Sequence, residues 1–303
     1  MYRLDDLDVR ILKELGSPSS PQWNVRVTYS AIARRIEVDE ETVRRRLKRA
    51  EATGAFPGWK LMPNPRLIGC EATSLDLDIE GGKSKANVID EIKKVDGVVK
   101  ILNFREPGLQ ITLYHEGADS LRGKVERIKS LSGSGKPTVW KLGFPRPDIR
   151  ITTTDWQILG AMLGDARRSL EAVSQEIGAS SRTVERRLGL MSEGRALYLQ
   201  GTPVFGKHAG LSCVFLVSCP DSRKKKVVDE AVLSKARRID LANTSSEQYS
   251  TFVMVYDNLS EADDALEWIG RLDGVERVKL GIMKELIVVQ DWLRDVIERL
   301  SAQ

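Results

Sequence analysis

The sequence predicts an α+β chain in which two winged helix-turn-helix domains alternate with two ferredoxin-like βαββαβ domains. Three observations predict it. Thr28 to Gly54 holds two apolar-periodic segments joined by a tight polar turn. Leu170 to Gly194 repeats that stretch. Each copy is followed by the strand and helix pattern of a split βαβ unit.

In the first copy Ile32, Ala33 and Ile36 share one helical face, and Val43, Leu47 and Ala50 recur at i, i+4 and i+7. Asp39 is placed to cap the second helix, with Glu40 and Glu41 in its first turn, where the helix dipole favours negative charge. With Val43 and Leu47 buried, Arg45, Lys48 and Arg49 point outward and Arg44 lies at the flank. In the repeat, Val173 and Ile177 match Ile32 and Ile36, and Thr183, Val184, Arg186, Arg187 and Leu188 match Thr42, Val43, Arg45, Arg46 and Leu47. Ser180 takes the capping place of Asp39. A helix pair whose second helix is basic is the form that enters a DNA major groove. A solvated charged face is the plainer reading of such a run, and the duplication is what favours DNA.

A third helix precedes each pair. Leu4 to Leu15 is read as a stripe capped by Asp5, and Ile151 to Met162 as its partner capped by Thr152, with Asp155, Ile158 and Leu159 matching Asp8, Ile11 and Leu12. Gly16 to Val27 reads as an inserted loop. Past Gly54 and Gly194, Phe56 to Met62 (interrupted by Pro57) and Ala196 to Gln200 read as wings, and Pro63 to Arg66 and Thr202 to Gly206 as punctuation.

The βαββαβ pattern follows twice. Strands are expected at Ala72 to Ile79, Val98 to Phe104, Leu109 to Tyr114 and Thr138 to Leu142, with helices at Lys85 to Val95 and Leu121 to Leu131. The second set is Leu211 to Ser218, Arg237 to Leu241, Tyr249 to Tyr256 and Val275 to Ile282, with helices at Lys224 to Leu233 and Glu261 to Leu272. Leu286 to Leu300 reads as an extra C-terminal helix. The expected domains are 1–62, 63–146, 147–203 and 204–285, with 286–303 as the added helix.

Composition sets outer limits. The 303 residues carry 41% hydrophobic and 30% charged side chains and a net charge of +4, which suits several soluble domains and permits nucleic acid without requiring it. The N-terminus lacks a signal-peptide pattern, and no apolar run reaches the ~18 residues of a membrane span, so a cytoplasmic chain with no membrane partner is expected. Cys70, Cys213 and Cys219 lack CxxC spacing and read as buried free thiols. His115 and His208 are too few for a zinc site or a histidine triad. No metal, no cofactor and no enzymatic activity are expected.

The segments LDDLDVRIL and AIARRIEVDEETVRRRLKRAEATGAF, followed by NPRLIG at Asn64 to Gly69, resemble the opening helix, helix-turn-helix and hinge of the Lrp/AsnC (feast/famine) transcription regulators. The resemblance covers nearly the whole chain as two tandem copies, where the family usually has one. It implies a DNA-binding domain and a ferredoxin-like (RAM-type) domain for dimerisation and effector binding. Family effectors are often amino acids, held by a turn with a Gly-x-Tyr/Phe-Asp-like sequence. The matching turns here, Glu106 to Gln110 and Ser246 to Ser250, lack the aspartate, so no effector residues are assigned.

The expected function is a sequence-specific transcription regulator. Its partner is double-stranded DNA, with a sheet-mediated pseudo-dimer inside the chain; a small-molecule effector and a homodimer are left open. Candidate DNA contacts are Arg44, Arg45, Lys48 and Arg49 in the first copy and Ser181, Arg182, Arg186 and Arg187 in the second. Arg46 is expected to pack its stem on the neighbouring helix. Arg223 to Lys226 is expected to be a solvated helix start. Trp23 and Trp292 fit either exposed anchors or local cores. Two alternatives stand beside the regulator: siroheme decarboxylases, which resemble the same two-domain arrangement and bind a tetrapyrrole, and sequence-neutral architectural DNA-binding proteins of the same family.

Overall fold

A computed structural model describes residues 4–15, 22–56, 58–201, 210–236 and 239–302. The expectations placed on Gly16 to Pro21, Pro57, Thr202 to Gly206, His208 and Arg237 lie outside these residues.

The first half runs α1 (Asp6–Leu15), α2 (Tyr29–Ile36), α3 (Glu40–Ala52), β1 (Trp59–Pro63), a 3-10 turn (Pro65–Ile68), β2 (Glu71–Asp78), α4 (Lys85–Lys93), β3 (Val98–Phe104), β4 (Gly108–His115), α5 (Ala118–Ser132) and β5 (Thr138–Leu142). The second half runs α6 (Thr153–Met162), α7 (Leu170–Ile177), α8 (Ser181–Glu193), β6 (Leu197–Gly201), β7 (Leu211–Ser218), α9 (Ser222–Lys235), β8 (Ile239–Asn243), β9 (Tyr249–Tyr256), α10 (Leu259–Gly270), β10 (Arg277–Val288) and α11 (Asp291–Ser301).

Each βαββαβ unit forms an antiparallel sheet of the ferredoxin order, β5-β2-β4-β3 and β10-β7-β9-β8. Side chains alternate along each strand. Leu75, Ile101 and Ile111 pack under Ile89, Ile92 and Ile128 of the first unit's helices. Phe215, Phe252 and Met254 pack under Val228 and Ile269 of the second's. The opposite faces are not covered by the units' own helices and pack on each other. Leu102 and Phe104 meet Val214, Val253 and Met283 between the sheets. Gln110 Nε2 donates to Thr251 Oγ1 at 3.1 Å, Lys279 Nζ to Asp76 Oδ2 at 2.7 Å, and Trp140 stacks on Tyr249 with ring centroids 5.1 Å apart.

β10 does not end where the sequence pattern placed it. Arg277 to Ile282 pair with β7; then the register shifts between Met283 and Glu285, and Met283 to Val288 pair with β3 of the other unit. The expected helix from Leu286 is therefore strand up to Val288, and α11 begins at Asp291. The β-branched run Ile287-Val288-Val289 favours this extended path, and the free edge of β3 supplies the partner.

The wings also differ from expectation. Among the described residues β1 and β6 form no hairpin of their own but pair with each other, Trp59 opposite Gly201 through Pro63 opposite Leu197. The two helical modules share one core, in which Leu47, Leu61, Ile158, Leu188 and Leu199 are all buried. Trp23 sits edge-on to Tyr198 and Phe144, and Trp292 edge-on to Tyr114, so both indoles belong to local cores. Lys225 is buried too. It pairs with Asp229 at 2.5 Å and donates to Thr244 O at 2.7 Å, which corrects the expectation for this one lysine; Arg223 and Lys226 of the same helix start are exposed as expected. Cys70, Cys213 and Cys219 are buried free thiols.

Gly281 lies flat beneath Phe104; a Cβ at that glycine would stand 3.0 Å from the ring. The ring fills the seam where β10 passes between sheets. Phe104→Ala should therefore cost about 3–5 kcal/mol. Urea unfolding would measure it, and a loss under ~1 kcal/mol would mean that the seam contributes little to holding the sheets together.

Candidate nucleic-acid interface

Each helix-turn-helix is built from its caps outward. Thr28 Oγ1 accepts from Ala31 N at 3.2 Å to open α2, and Asp39 Oδ1 accepts from Thr42 N at 2.7 Å to open α3. In the second copy Ser169 Oγ accepts from Ala172 N and Ser180 Oγ from Thr183 N, both at 3.1 Å. Each cap satisfies one of the backbone N–H groups that a helix start leaves without an intrahelical partner. The bonds from Thr42 also hold the Asp39 carboxyl below the usual carboxylate range. The sharp turn between helices needs a left-handed residue, supplied by Gly178 (φ 68°) in one copy and by Glu37 (φ 59°) in the other.

Burial of Val43, Leu47 and Ala50 fixes the outward face of α3. Arg44, Arg45, Lys48 and Arg49 are all exposed on it. Arg44 is drawn back along its own helix by Glu40 at 2.6 Å and Glu41 at 3.6 Å. On α8 the buried face is Val184, Leu188 and Met191, which leaves Ser181, Arg182 and Arg186 exposed. Ser181 Oγ lies 3.1 Å from Ser174 Oγ of α7.

Arg187 is not on that face. Its Nε donates to Asp155 Oδ1 at 2.7 Å, its Nη2 pairs with the same carboxylate, and its side chain is only 13% exposed. The hydrogen bonds to Asp155 raise the guanidinium pKa above its ordinary value. The expected role of Arg187 in contacting DNA is thus corrected: its charge is spent inside the protein. Arg46 stands in the same position in the first copy. Rather than only packing its stem, it pairs with Asp5 at 2.7 Å and with buried Asp8 at 2.9 Å. Asp8 and Asp155 serve twice. Asp8 Oδ2 accepts from Asp5 N at 3.0 Å and Asp155 Oδ2 from Thr152 N at 2.7 Å, closing the first turns of α1 and α6. One carboxylate in each module therefore fixes both the start of the first helix and the rotation of the recognition helix. The repeat itself carries the signal, since Asp8 with Arg46 and Asp155 with Arg187 recur at matching places.

The turn that matches the family's effector turn is engaged by the chain itself. Glu106 Oε2 accepts from Ile282 N at 3.1 Å, and Lys85 Nζ donates to Phe104 O at 2.5 Å, Gly108 O at 3.1 Å and Glu106 O. His115 is enclosed, with Nε2 2.8 Å from Thr73 Oγ1 and Nδ1 3.1 Å from Gly117 O.

Comparison with known proteins fits this geometry. Residues 4–51 match the AsnC-type helix-turn-helix domain. An uncharacterized HTH-type transcriptional regulator of Pyrococcus furiosus is 32% identical over 151 residues, which is 47% of this chain and 98% of that protein. The chain belongs to the Lrp/AsnC family. A second relative, an uncharacterized HTH-type transcriptional regulator of Pyrococcus abyssi, is 34% identical over 48% of this chain and 92% of its own length. Both relatives correspond to about half of this chain, so this Lrp/AsnC protein carries in tandem what they carry once. The solved structure of the siroheme decarboxylase NirDL aligns with a TM-score of 0.59 over 98% of this chain and 99% of its own, at 14% identity, a likeness of fold. Among the described residues no helix is long and apolar enough to cross a membrane.

The Asp155–Arg187 pair yields a test. Asp155→Ala leaves a buried guanidinium without its carboxylate and should destabilise the protein by about 3–5 kcal/mol. Arg186→Ala, on the exposed face, should stay within ~0.5 kcal/mol. Chemical denaturation of both variants would show the contrast; equal losses would contradict the assignment of Arg187 to the interior.

Proposed function

We propose that this chain is a sequence-specific DNA-binding transcription regulator that acts as its own dimer. The observation that carries the reading is the pair of recognition helices, α3 and α8. Each is capped, each is locked to its own first helix by an arginine paired with a buried aspartate, and each turns an exposed basic face outward from one shared core. Family membership and the printed names of the relatives support it.

The two helices are not equivalent. α3 opens with Glu40 and Glu41, which repel phosphate and engage Arg44, so its remaining cations Arg45, Lys48 and Arg49 suit the DNA backbone. α8 opens with Ser181 and Arg182, small and basic groups at the end that enters the groove first. Arg182 is the candidate for a bidentate contact to guanine, and Arg186 supports it from the next turn. One chain thereby offers two different readers, which a dimer of identical subunits does not. We place this regulator in the cytoplasm. We favour a regulator over a catalyst on the strength of the family match and the relatives' names; among the described residues the one histidine, His115, has both ring nitrogens engaged within the protein.

Titration of variants against a selected site and a scrambled duplex tests the division of labour. Arg182→Ala should cost about 1–3 kcal/mol on the selected site and little on the scrambled one. Lys48→Ala should weaken both alike and lower the salt slope by about one charge. Equal losses for Arg182→Ala on both duplexes would refute base reading by α8, and a sequence-neutral coating protein would show no selected site at all.

A further inference from the structure

The last helix has no counterpart in the first half, and the place where a counterpart would lie is open. α11 packs along α6 with Leu293, Val296 and Ile297 buried, and it turns Trp292 toward Tyr114 and Lys124 of the first ferredoxin-like unit. In the repeat, α1 corresponds to α6, and α10 of the second unit to α5 of the first. Between α1 and α10 lies a groove of about 1080 Å³, with Val9 on one wall and Ala265 and Trp268 on the other. The vacancy follows from connectivity. β10 runs on into α11, whereas β5 ends at Leu142, and Phe144 to Arg150, stiffened by Pro145 and Pro147, leads to α6 instead. The chain that could have supplied a helix there is used to join the halves.

The filled site and the open one share a frame and differ in charge. α5 begins after Gly117 and α10 after Asn258, and Ile128 and Ile269 hold the same buried place in them. That register sets Gly123, Lys124 and Arg127 against Asp264, Ala265 and Trp268. On the filled side Lys124 Nζ stands 5.4 Å from the centre of the Trp292 ring, beneath a helix in which Asp291, Asp295 and Glu298 outnumber Arg294 and Arg299. A cationic wall there meets an acidic helix. The open groove is lined instead by four carboxylates, Asp6, Asp257, Glu261 and Asp264, and by two cations, Arg10 and Lys235. All four carboxylates are exposed. Glu261 accepts from neutral donors, Asp257 N at 3.2 Å and Asn258 Nδ2 at 2.9 Å. Arg10 Nη2 is bonded to Ile36 O at 3.0 Å, and Lys235 Nζ lies 4.3 Å from the centre of the Trp268 ring. The groove therefore joins apolar side chains, Val9, Met254 and Val255 among them, to a negative excess. An occupant that fits both has an apolar face bordered by positive charge.

We propose that this groove docks a basic amphipathic helix of a partner protein, laid between α1 and α10 as α11 is laid against α6 in the other half. The contact lies outside both recognition helices and does not depend on DNA binding. Because α1 opens the first helix-turn-helix module, the docked helix would touch the module that carries α3.

The probe is a fluorescein-labelled peptide with the sequence of α11 carrying Asp291→Lys, Asp295→Lys and Glu298→Lys, which keeps the apolar face and makes the polar face basic. A hydrocarbon staple on the polar face holds it helical, since so short a helix is marginal alone. Fluorescence anisotropy with the full chain reads its binding. The basic peptide should bind roughly tenfold more tightly than the unaltered α11 peptide, and by a similar factor more tightly than a scrambled peptide of the same composition. Asp264→Ala combined with Ala265→Lys gives the groove the lysine of the first unit, and should weaken the basic peptide roughly tenfold. Absence of binding by the basic peptide, equal binding by the scrambled one, or an unchanged affinity in the double variant would overturn the proposal. Displacement of the peptide by an equal concentration of spermine would show a site for a small polycation and refute helix docking. Self-association of the full chain in sedimentation, reversed by the basic peptide, would make the occupant a second copy and overturn the partner. None of these readings changes with the outcome of DNA titration, so the regulator reading stands or falls separately.

Discussion

The structure depends on a strand that belongs to two sheets. β10 is 12 residues long, and its first half completes the second ferredoxin-like unit by pairing with β7. Its second half leaves that sheet at the bulge after Met283 and closes the open edge of β3 in the first unit. Backbone hydrogen bonding therefore runs unbroken from β5 to β8, and neither sheet can turn away from the other without losing a ladder. The helix-free faces are thereby pressed together, and Phe104 over Gly281 marks the place where the chain changes sheets. A second tie, β1 with β6, does the same for the helical modules. What two subunits would achieve by association, this chain achieves by continuity, with no association entropy to offset.

Fusion also lets the halves diverge. α11 follows β10 directly and packs on α6, where Ile297 reaches Gly160, while Trp292 meets Tyr114 and Lys124 of the first unit. The corresponding place beside α1, bounded by Val9, Val255 and Ala265, is an open groove of about 1080 Å³. The recognition helices diverge as well, with acidic residues opening α3 and Ser181 and Arg182 opening α8. The Arg–Asp locks do not diverge: both copies keep the carboxylate that sets helix rotation. The framework is symmetric and the surfaces are not.

Much of this architecture is legible in the amino-acid sequence. Helical periodicity, the caps Asp39, Ser180, Thr28 and Ser169, and alternation in the strands are local signals, and they place the elements. Partnerships are harder to read, because they are set between distant segments. Nothing local distinguishes a wing strand that folds back from one that pairs with another copy. Leu286 to Val288 suit helix or strand in isolation, and the vacant edge of β3 decides. Arg186 and Arg187 are adjacent arginines on a basic helix, and a single helical step separates a solvent-facing side chain from one buried on Asp155. The bonds from Arg26 to Arg168 O and from Arg167 to Val27 O join a loop that reads as an insertion to a short connector, so no spacing rule points to them.

The central claim is that one chain carries two unlike readers held at a fixed separation. Hydroxyl-radical footprinting of the full chain on its selected duplex, at a protein concentration where binding is one chain per duplex, tests it most directly. The account predicts two protected patches of different sequence on one face of the helix, both lost together as salt rises. Protection of a single patch by one chain, or of two patches only when a second chain binds a symmetric site, would contradict it.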